Sequence, residues 1–132
     1  METGRADFII IEDNKVDCFI AEKTIQNSGK GNSCITFSHA ALALDYIEKH
    51  ESDGQVIIFV DIQMPRMNGF EFVESFERLP LSNRHLYRIY TLTSSINERD
   101  RERIKMFPSV KGFLNKPLTV DIINQVVQVN SP

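Results

Sequence analysis

Polar groups able to do chemistry stand at the ends of apolar runs. Glu12-Asp13 follow Phe8-Ile9-Ile10-Ile11, and Asp61 follows Val56-Ile57-Ile58-Phe59-Val60. Thr93-Ser94 follow the stretch Tyr87–Leu92, and Lys116 closes Val110–Leu114 after Asn115. A continuous apolar run bounded by turn residues fits a strand buried on both faces. In an open parallel sheet the C-terminal strand ends share one edge, and ligands bind there. Three carboxylates, a hydroxyl and an ammonium would then face one cleft.

Such a cleft has a defined electrostatic need. Two carboxylates about 4 Å apart repel by roughly 4 kcal/mol at an effective dielectric near 20. Three of them require raised pKa values or a bound cation, and one lysine neutralises only part of the charge. A hard divalent ion with oxygen ligands answers this, and Mg²⁺ accepts one or two carboxylates completed by waters and a phosphate. A carboxylate beside Mg²⁺, a lysine and a hydroxyl is equipped for phosphoryl transfer, where positioning and charge neutralisation dominate. Asp61 is the candidate nucleophile, forming an acyl phosphate. Lys116 and Thr93 are the candidate partners of the phosphoryl oxygens.

The elements that must position these groups alternate along the chain. Asn14 caps a helix in which Val16, Phe19, Ile20 and Lys23 recur at helical spacing, ended by Gly29 and Gly31. Cys34–Phe37 reads as a strand, and His39–His50 as a helix with Ala40, Ala43, Leu44 and Ile47 on one face. Gly69–Arg78 is a helix pointing Phe72, Val73 and Phe76 inward, followed by a long loop from Pro80 to His85. Asn97–Lys105 is a charged helix suited to i,i+4 pairs, and about Thr119–Gln128 is a helix with Val120, Ile123, Val126 and Val127 as its buried stripe. Five βα units in this order argue for an α/β parallel sheet with helices on both faces.

The 132 residues fit one domain that buries roughly two-thirds of its unfolded surface. Apolar content of 42% and charged content of 25% are ordinary for a globular chain. A net charge of −3 gives no argument for nucleic acid or membrane binding. No apolar run approaches the roughly 18 residues of a spanning helix. Residues 1–6 lack the apolar core of a secretion signal, so a cytoplasmic location is expected. Cys18 and Cys34 have no metal-ligand spacing and read as small buried hydrophobes, and the three histidines show no ligand spacing either. Met64 and Met67 read as gap fillers.

The motifs Phe8–Asp13, Asp61-Ile62-Gln63-Met64-Pro65-Arg66-Met67-Asn68-Gly69, Leu92-Thr93-Ser94 and Gly112-Phe113-Leu114-Asn115-Lys116-Pro117, in that order, resemble the receiver domain of two-component response regulators. The likeness runs from about residue 7 to 128 and is strongest to stand-alone, chemotaxis-type regulators. It implies a flavodoxin-like (βα)5 three-layer fold with a parallel five-stranded sheet of order 2-1-3-4-5. By resemblance Asp61 is the phospho-acceptor, Glu12 and Asp13 hold Mg²⁺ with Asp61, and the backbone carbonyl of Gln63 is a further ligand. Thr93 is the switch hydroxyl, Phe113 the aromatic switch and Lys116 the phosphoryl-pairing lysine. Lys116-Pro117 is a candidate cis peptide.

The resemblance implies a phospho-acceptor signalling protein and not a turnover enzyme. A histidine kinase or histidine phosphotransfer protein would be the donor, and the output a protein-interaction surface on the fourth helix, fifth strand and fifth helix, toward an unidentified target. Residues 1–6 are expected to be a flexible terminus and 7–130 a single receiver domain with no output domain. The sequence departs from the common pattern in three places: Glu12 stands where aspartate is usual, Met106-Phe107-Pro108-Ser109-Val110 lacks a small Ala-Gly pair, and loop 80–85 is long. Two other readings compete. A Mg²⁺-dependent aspartyl phosphatase would carry a second aspartate where Gln63 stands. A pseudo-receiver that only binds proteins would not need the complete acid set.

Overall fold

The computed structural model describes residues 5–95 and 97–128. Five strands, β1 (Ala6–Ile11), β2 (Gly31–Phe37), β3 (Val56–Asp61), β4 (Tyr87–Thr93) and β5 (Val110–Asn115), form one sheet. Its order is β2-β1-β3-β4-β5 and every pairing is parallel. The crossovers carry α1 (Lys15–Ser28), α2 (Ala40–Lys49), α3 (Gly69–Glu77) and α4 (Glu98–Ile104), and α5 (Val120–Gln128) follows β5. This is the expected flavodoxin-like three-layer arrangement.

Burial on both faces explains why the central strands read as unbroken apolar runs. Every residue of β3 is buried. On one face Ile9, Ile11, Ile58, Val60 and Ile89 pack against Ala43 and Ile47 of α2 and Phe72, Val73 and Phe76 of α3. On the other, Phe8, Ile10, Ile57, Phe59 and Tyr90 pack against Ala21 and Ile25 of α1 and Ile123, Val126 and Val127 of α5. Met64 joins the first cluster and Met67 packs on it, as gap fillers. Cys18 and Cys34 are unpaired and half-buried beside the second. Burial pushes the Cys34 thiol up to about 12, so it stays protonated.

β1 and β2 start earlier than their apolar runs, whereas β3, β4 and β5 start where those runs do. β1 begins at Ala6, a buried residue within the stretch expected to be a flexible terminus. Its backbone pairs through Ala6 N–H to Lys30 O (3.0 Å), and ladder bonds need no apolar side chain. Residues 1–4, 129 and 130 of the expected boundaries lie outside the described residues. β2 is an edge strand with an irregular burial pattern, so only its second half was legible.

Two helix faces differ from expectation. On α1 Val16, Phe19 and Ile20 are 66%, 59% and 38% exposed. The packed stripe is Ala21 and Ile25 with Cys18 beside it. The two stripes have the same period, and the sheet chose the one with smaller side chains. Val120 likewise stays exposed while Ile123, Val126 and Val127 are buried. The charge pairs of α4 form at i,i+3 (Glu98–Arg101, 3.4 Å; Glu102–Lys105, 3.0 Å).

The loop after α3 is organised by Arg84, which opens a short 3-10 turn (Arg84–Leu86). Its guanidinium donates to Phe76 O at 3.0 Å and to Leu79 O, closing the end of α3. The segment before β5, lacking the small pair, is tied by Ser109, whose N–H (3.1 Å) and hydroxyl (2.6 Å) donate to Glu77.

The turn after β3 depends on close backbone approach. Asn68 and Glu71 form a reciprocal capping box at the start of α3. Arg66 adopts a left-handed φ of 68° within this turn. A Cβ on Gly69 would sit 2.7 Å from Ile62 Cα and 3.0 Å from Asp61 O, both backbone atoms. Gly69→Ala is expected to destabilise the fold by about 2 kcal/mol through overpacking, read by chemical denaturation. Wild-type stability in that variant would contradict the contact.

Candidate functional site

The strands converge on one edge because they are parallel. Ile62 N–H donates to Leu92 O (3.1 Å) and Lys116 N–H to Thr93 O (2.8 Å), extending the ladders past the strand ends. Glu12 and Asp13 therefore lie beside Asp61, and Lys116 reaches across from the end of β5.

Asp61 is buried and held on both oxygens. Oδ1 accepts from Gln63 N–H at 2.9 Å, which fixes the backbone at Gln63 beside the carboxylate. Oδ2 accepts from Lys116 Nζ at 3.0 Å. Glu12 is also buried, with Oε1 2.7 Å from Lys116 Nζ and Oε2 accepting from Asn14 N–H at 3.1 Å. Asp13 is exposed to solvent. Glu12, Asp13 and Asp61 each present a carboxylate oxygen, all within 4.8 Å of one another. At that separation a pair of charges repels by roughly 3.5 kcal/mol at a dielectric near 20. Burial, with the neighbouring Asp61, pushes the Glu12 carboxyl up to about 7 despite the opposing lysine. Burial works against charge on Lys116, but its hydrogen bonds to Asp17, Glu12 and Asp61 outweigh it and hold the ammonium above lysine's ordinary value.

Hard oxygen donors at this spacing, two of them buried and short of positive charge, suit a small divalent cation. The acids expected to hold a metal are therefore brought together. Thr93 is buried nearby, but its hydroxyl is engaged in its own turn, donating to Ser95 O (3.0 Å) and accepting from Ser95 N–H (3.2 Å). Phe113 is half-buried against the cluster of Ile62, Phe70 and Ile104, with the Arg101 guanidinium 5.7 Å from its ring centre. The Lys116-Pro117 peptide is cis.

One site residue escaped sequence reasoning. Asp17 Oδ2 lies 2.8 Å from Lys116 Nζ. In the sequence Asp17 reads as a first-turn acid three residues after an Asn cap, a position favoured by the helix dipole alone. Its partner is 99 residues away and no local pattern links them.

A family model described as a response regulator receiver domain matches residues 8–128. Among solved structures, a response regulator receiver protein from Dyadobacter fermentans is 32% identical, with a TM-score of 0.86 over 94% of this chain and 96% of that one. A two component response regulator from Cytophaga hutchinsonii shares the fold at 21% identity, TM-score 0.82, covering 92% of this chain and 94% of that one. A curated relative, hybrid signal transduction histidine kinase B of Dictyostelium discoideum, is 28% identical over 130 residues, 91% of this chain. The chain spans 6% of that relative's length.

Proposed function

This chain belongs to the response regulator receiver domain family, and from that premise we propose that it accepts a phosphoryl group on Asp61 and signals through protein contact in the cytoplasm. The observation that carries this reading is the buried Asp61 carboxylate, clasped by Lys116 beside two further acids. In the step, an Asp61 oxygen forms a bond to phosphorus while the bond from phosphorus to the donor's histidine nitrogen breaks, and the imidazole leaves and recovers a proton. Lys116 places an N–H against the phosphoryl oxygens throughout. Glu12, Asp13, Asp61 and the Gln63 carbonyl would hold Mg²⁺, which supplies neutralisation of the phosphoryl charge. Thr93 then leaves Ser95 to donate to a phosphoryl oxygen. Phe113 and the overlying Arg101 carry that change to the surface of α4, β5 and α5.

The test is incubation with acetyl phosphate and Mg²⁺, followed by intact-mass measurement. One phosphoryl adduct, absent with a chelator, is expected; no adduct at millimolar donor sinks the reading. The pseudo-receiver alternative predicts that negative result.

The donor is a histidine kinase or a phosphotransfer protein. We assign its docking face to the exposed Val16, Phe19 and Ile20 of α1, on the helix that Asn14 caps just after Asp13. Apolar side chains this exposed, grouped beside a polar site, mark contact surfaces. Phe19→Ser is expected to slow transfer from a phosphorylated histidine protein about tenfold, as for loss of an aromatic anchor. Acetyl phosphate, too small to use that face, serves as the control rate, and equal slowing with both donors would refute the assignment.

Metal uptake is linked to pH. Burial pushes the Glu12 carboxyl up to about 7, so a proton and the cation compete for the same carboxylate. The Mg²⁺ affinity is expected to fall about tenfold from pH 8 to pH 6, measured by calorimetry because the chain has no Trp to report binding. A flat profile would show that Glu12 takes no part.

A further inference from the structure

Lys116 has three N–H donors, and three carboxylates accept them: Glu12 at 2.7 Å, Asp17 at 2.8 Å and Asp61 at 3.0 Å. The three acceptors are not equivalent. Glu12 and Asp61 belong with Asp13 to the group of oxygens that suits a cation, and Asp17 does not. A cation placed there draws on Glu12 and Asp61. Phosphorylation then turns one Asp61 oxygen into the bridging oxygen of an acyl phosphate. Through both changes Asp17 alone is left free to hold the ammonium.

Asp17 is well mounted for that task. It sits in the first turn of α1, where its backbone N–H donates to Asn14 Oδ1 at 2.9 Å. The Asn14 N–H in turn donates to Glu12, so the turn and the acidic strand end are locked together. The Asp17 side chain is 37% exposed, so it carries its charge at little desolvation cost while facing a lysine that is mostly buried.

We propose that Asp17 is a positioning residue that keeps the Lys116 ammonium aimed at the phosphoryl group once the cation and the phosphoryl oxygens have claimed its other two partners. This rests on the reading of Asp61 as phospho-acceptor. In the transfer from acetyl phosphate an Asp61 oxygen bonds to phosphorus as the bond from phosphorus to the acetate oxygen breaks, and acetate leaves. Lys116 keeps all its protons, one directed at the phosphoryl group and one at Asp17. An ammonium with no fixed partner would spread over several rotamers, and each departure from the aimed one slows the step.

The bland account is that Asp17 only favours the helix N-terminus. Four proteins separate the two: wild type, Asp17→Ala, Lys116→Met and the double variant. At saturating Mg²⁺, Asp17→Ala is expected to lower the maximal rate with acetyl phosphate about fivefold, the scale of one charge-assisted hydrogen bond discounted for exposure. Its Mg²⁺ dissociation constant should change less than twofold. Asp17→Asn, which keeps an acceptor without the charge, should fall between. In the Lys116→Met background Asp17→Ala should have no further effect.

A readout independent of activity is amine labelling. In the Mg²⁺-loaded protein, trace acetic anhydride should modify Lys116 several-fold faster in Asp17→Ala than in wild type. An equal rate loss in the Lys116→Met background, a wild-type rate in Asp17→Ala, or unchanged Lys116 reactivity would each overturn the proposal. If wild type takes up no phosphoryl group, the reading of Asp61 fails instead, and the labelling comparison still decides whether Asp17 holds Lys116.

Discussion

With Asp61 replaced by asparagine, phosphoryl uptake from acetyl phosphate falls below detection. The amide oxygen of Asn keeps the acceptor that takes Gln63 N–H, so the turn holds. An amide has no anionic oxygen to attack phosphorus, and the nucleophile is lost rather than weakened. The same substitution has a second signature. Asp61 raises the Glu12 carboxyl both as a hydrogen-bond neighbour and as a charge. Glu12 should therefore titrate below its present value of about 7 in Asp61→Asn, seen by carboxyl carbon NMR. Persistent labelling of Asp61→Asn would move the acceptor elsewhere, to the exposed Asp13 or to Asp17. An unchanged Glu12 titration would mean the two acids do not interact.

Lys116→Met tests the other half of the site. It keeps the apolar stem and removes the charge. Glu12 and Asp61 are then left buried without their ammonium, and Asp17 loses its partner. Removing one partner of a buried ion pair costs about 3 kcal/mol, and three carboxylates share this lysine. The metal-free variant should be less stable than wild type by about that amount at pH 8. The pH dependence follows from Glu12. Its carboxyl is raised from an ordinary 4.5 to about 7 in the fold, so the folded state favours the protonated form. That stabilisation is full below pH 4.5 and is lost as the pH rises through about 7. Without Lys116, which holds the carboxyl down, the penalty for an ionised Glu12 grows. The deficit should be largest at pH 8 and shrink toward pH 5, and Mg²⁺ should recover part of it by replacing the missing positive charge. Urea unfolding at both pH values checks this; a deficit independent of pH would place the loss in packing.

Most of the fold was legible because parallel strands buried on both faces cannot alternate. Val56–Val60 and Phe8–Ile11 are apolar throughout for that reason, and the polar residue that ends each run marks the sheet edge. The helix α2 was read over His39–His50 and spans Ala40–Lys49 with those two histidines as its caps, since one of its faces is plainly apolar. The order β2-β1-β3-β4-β5 came from the resemblance and is what the sheet adopts. Edge strand β2 and the inward face of α1 were harder. An edge strand mixes polar and apolar positions, and α1 carries two stripes of the same period.

The sequence by itself determined which residues end the strands, and so which acids and which lysine meet: Glu12, Asp13, Asp61 and Lys116. That follows from burial, a property each segment carries locally. Tertiary structure alone decided that Asp17 completes the lysine's coordination, that Phe19 faces solvent, and that the Thr93 hydroxyl rests on Ser95. These outcomes depend on how close two distant elements come and on which of two equal helix faces the sheet accepts. No window of sequence contains that distance.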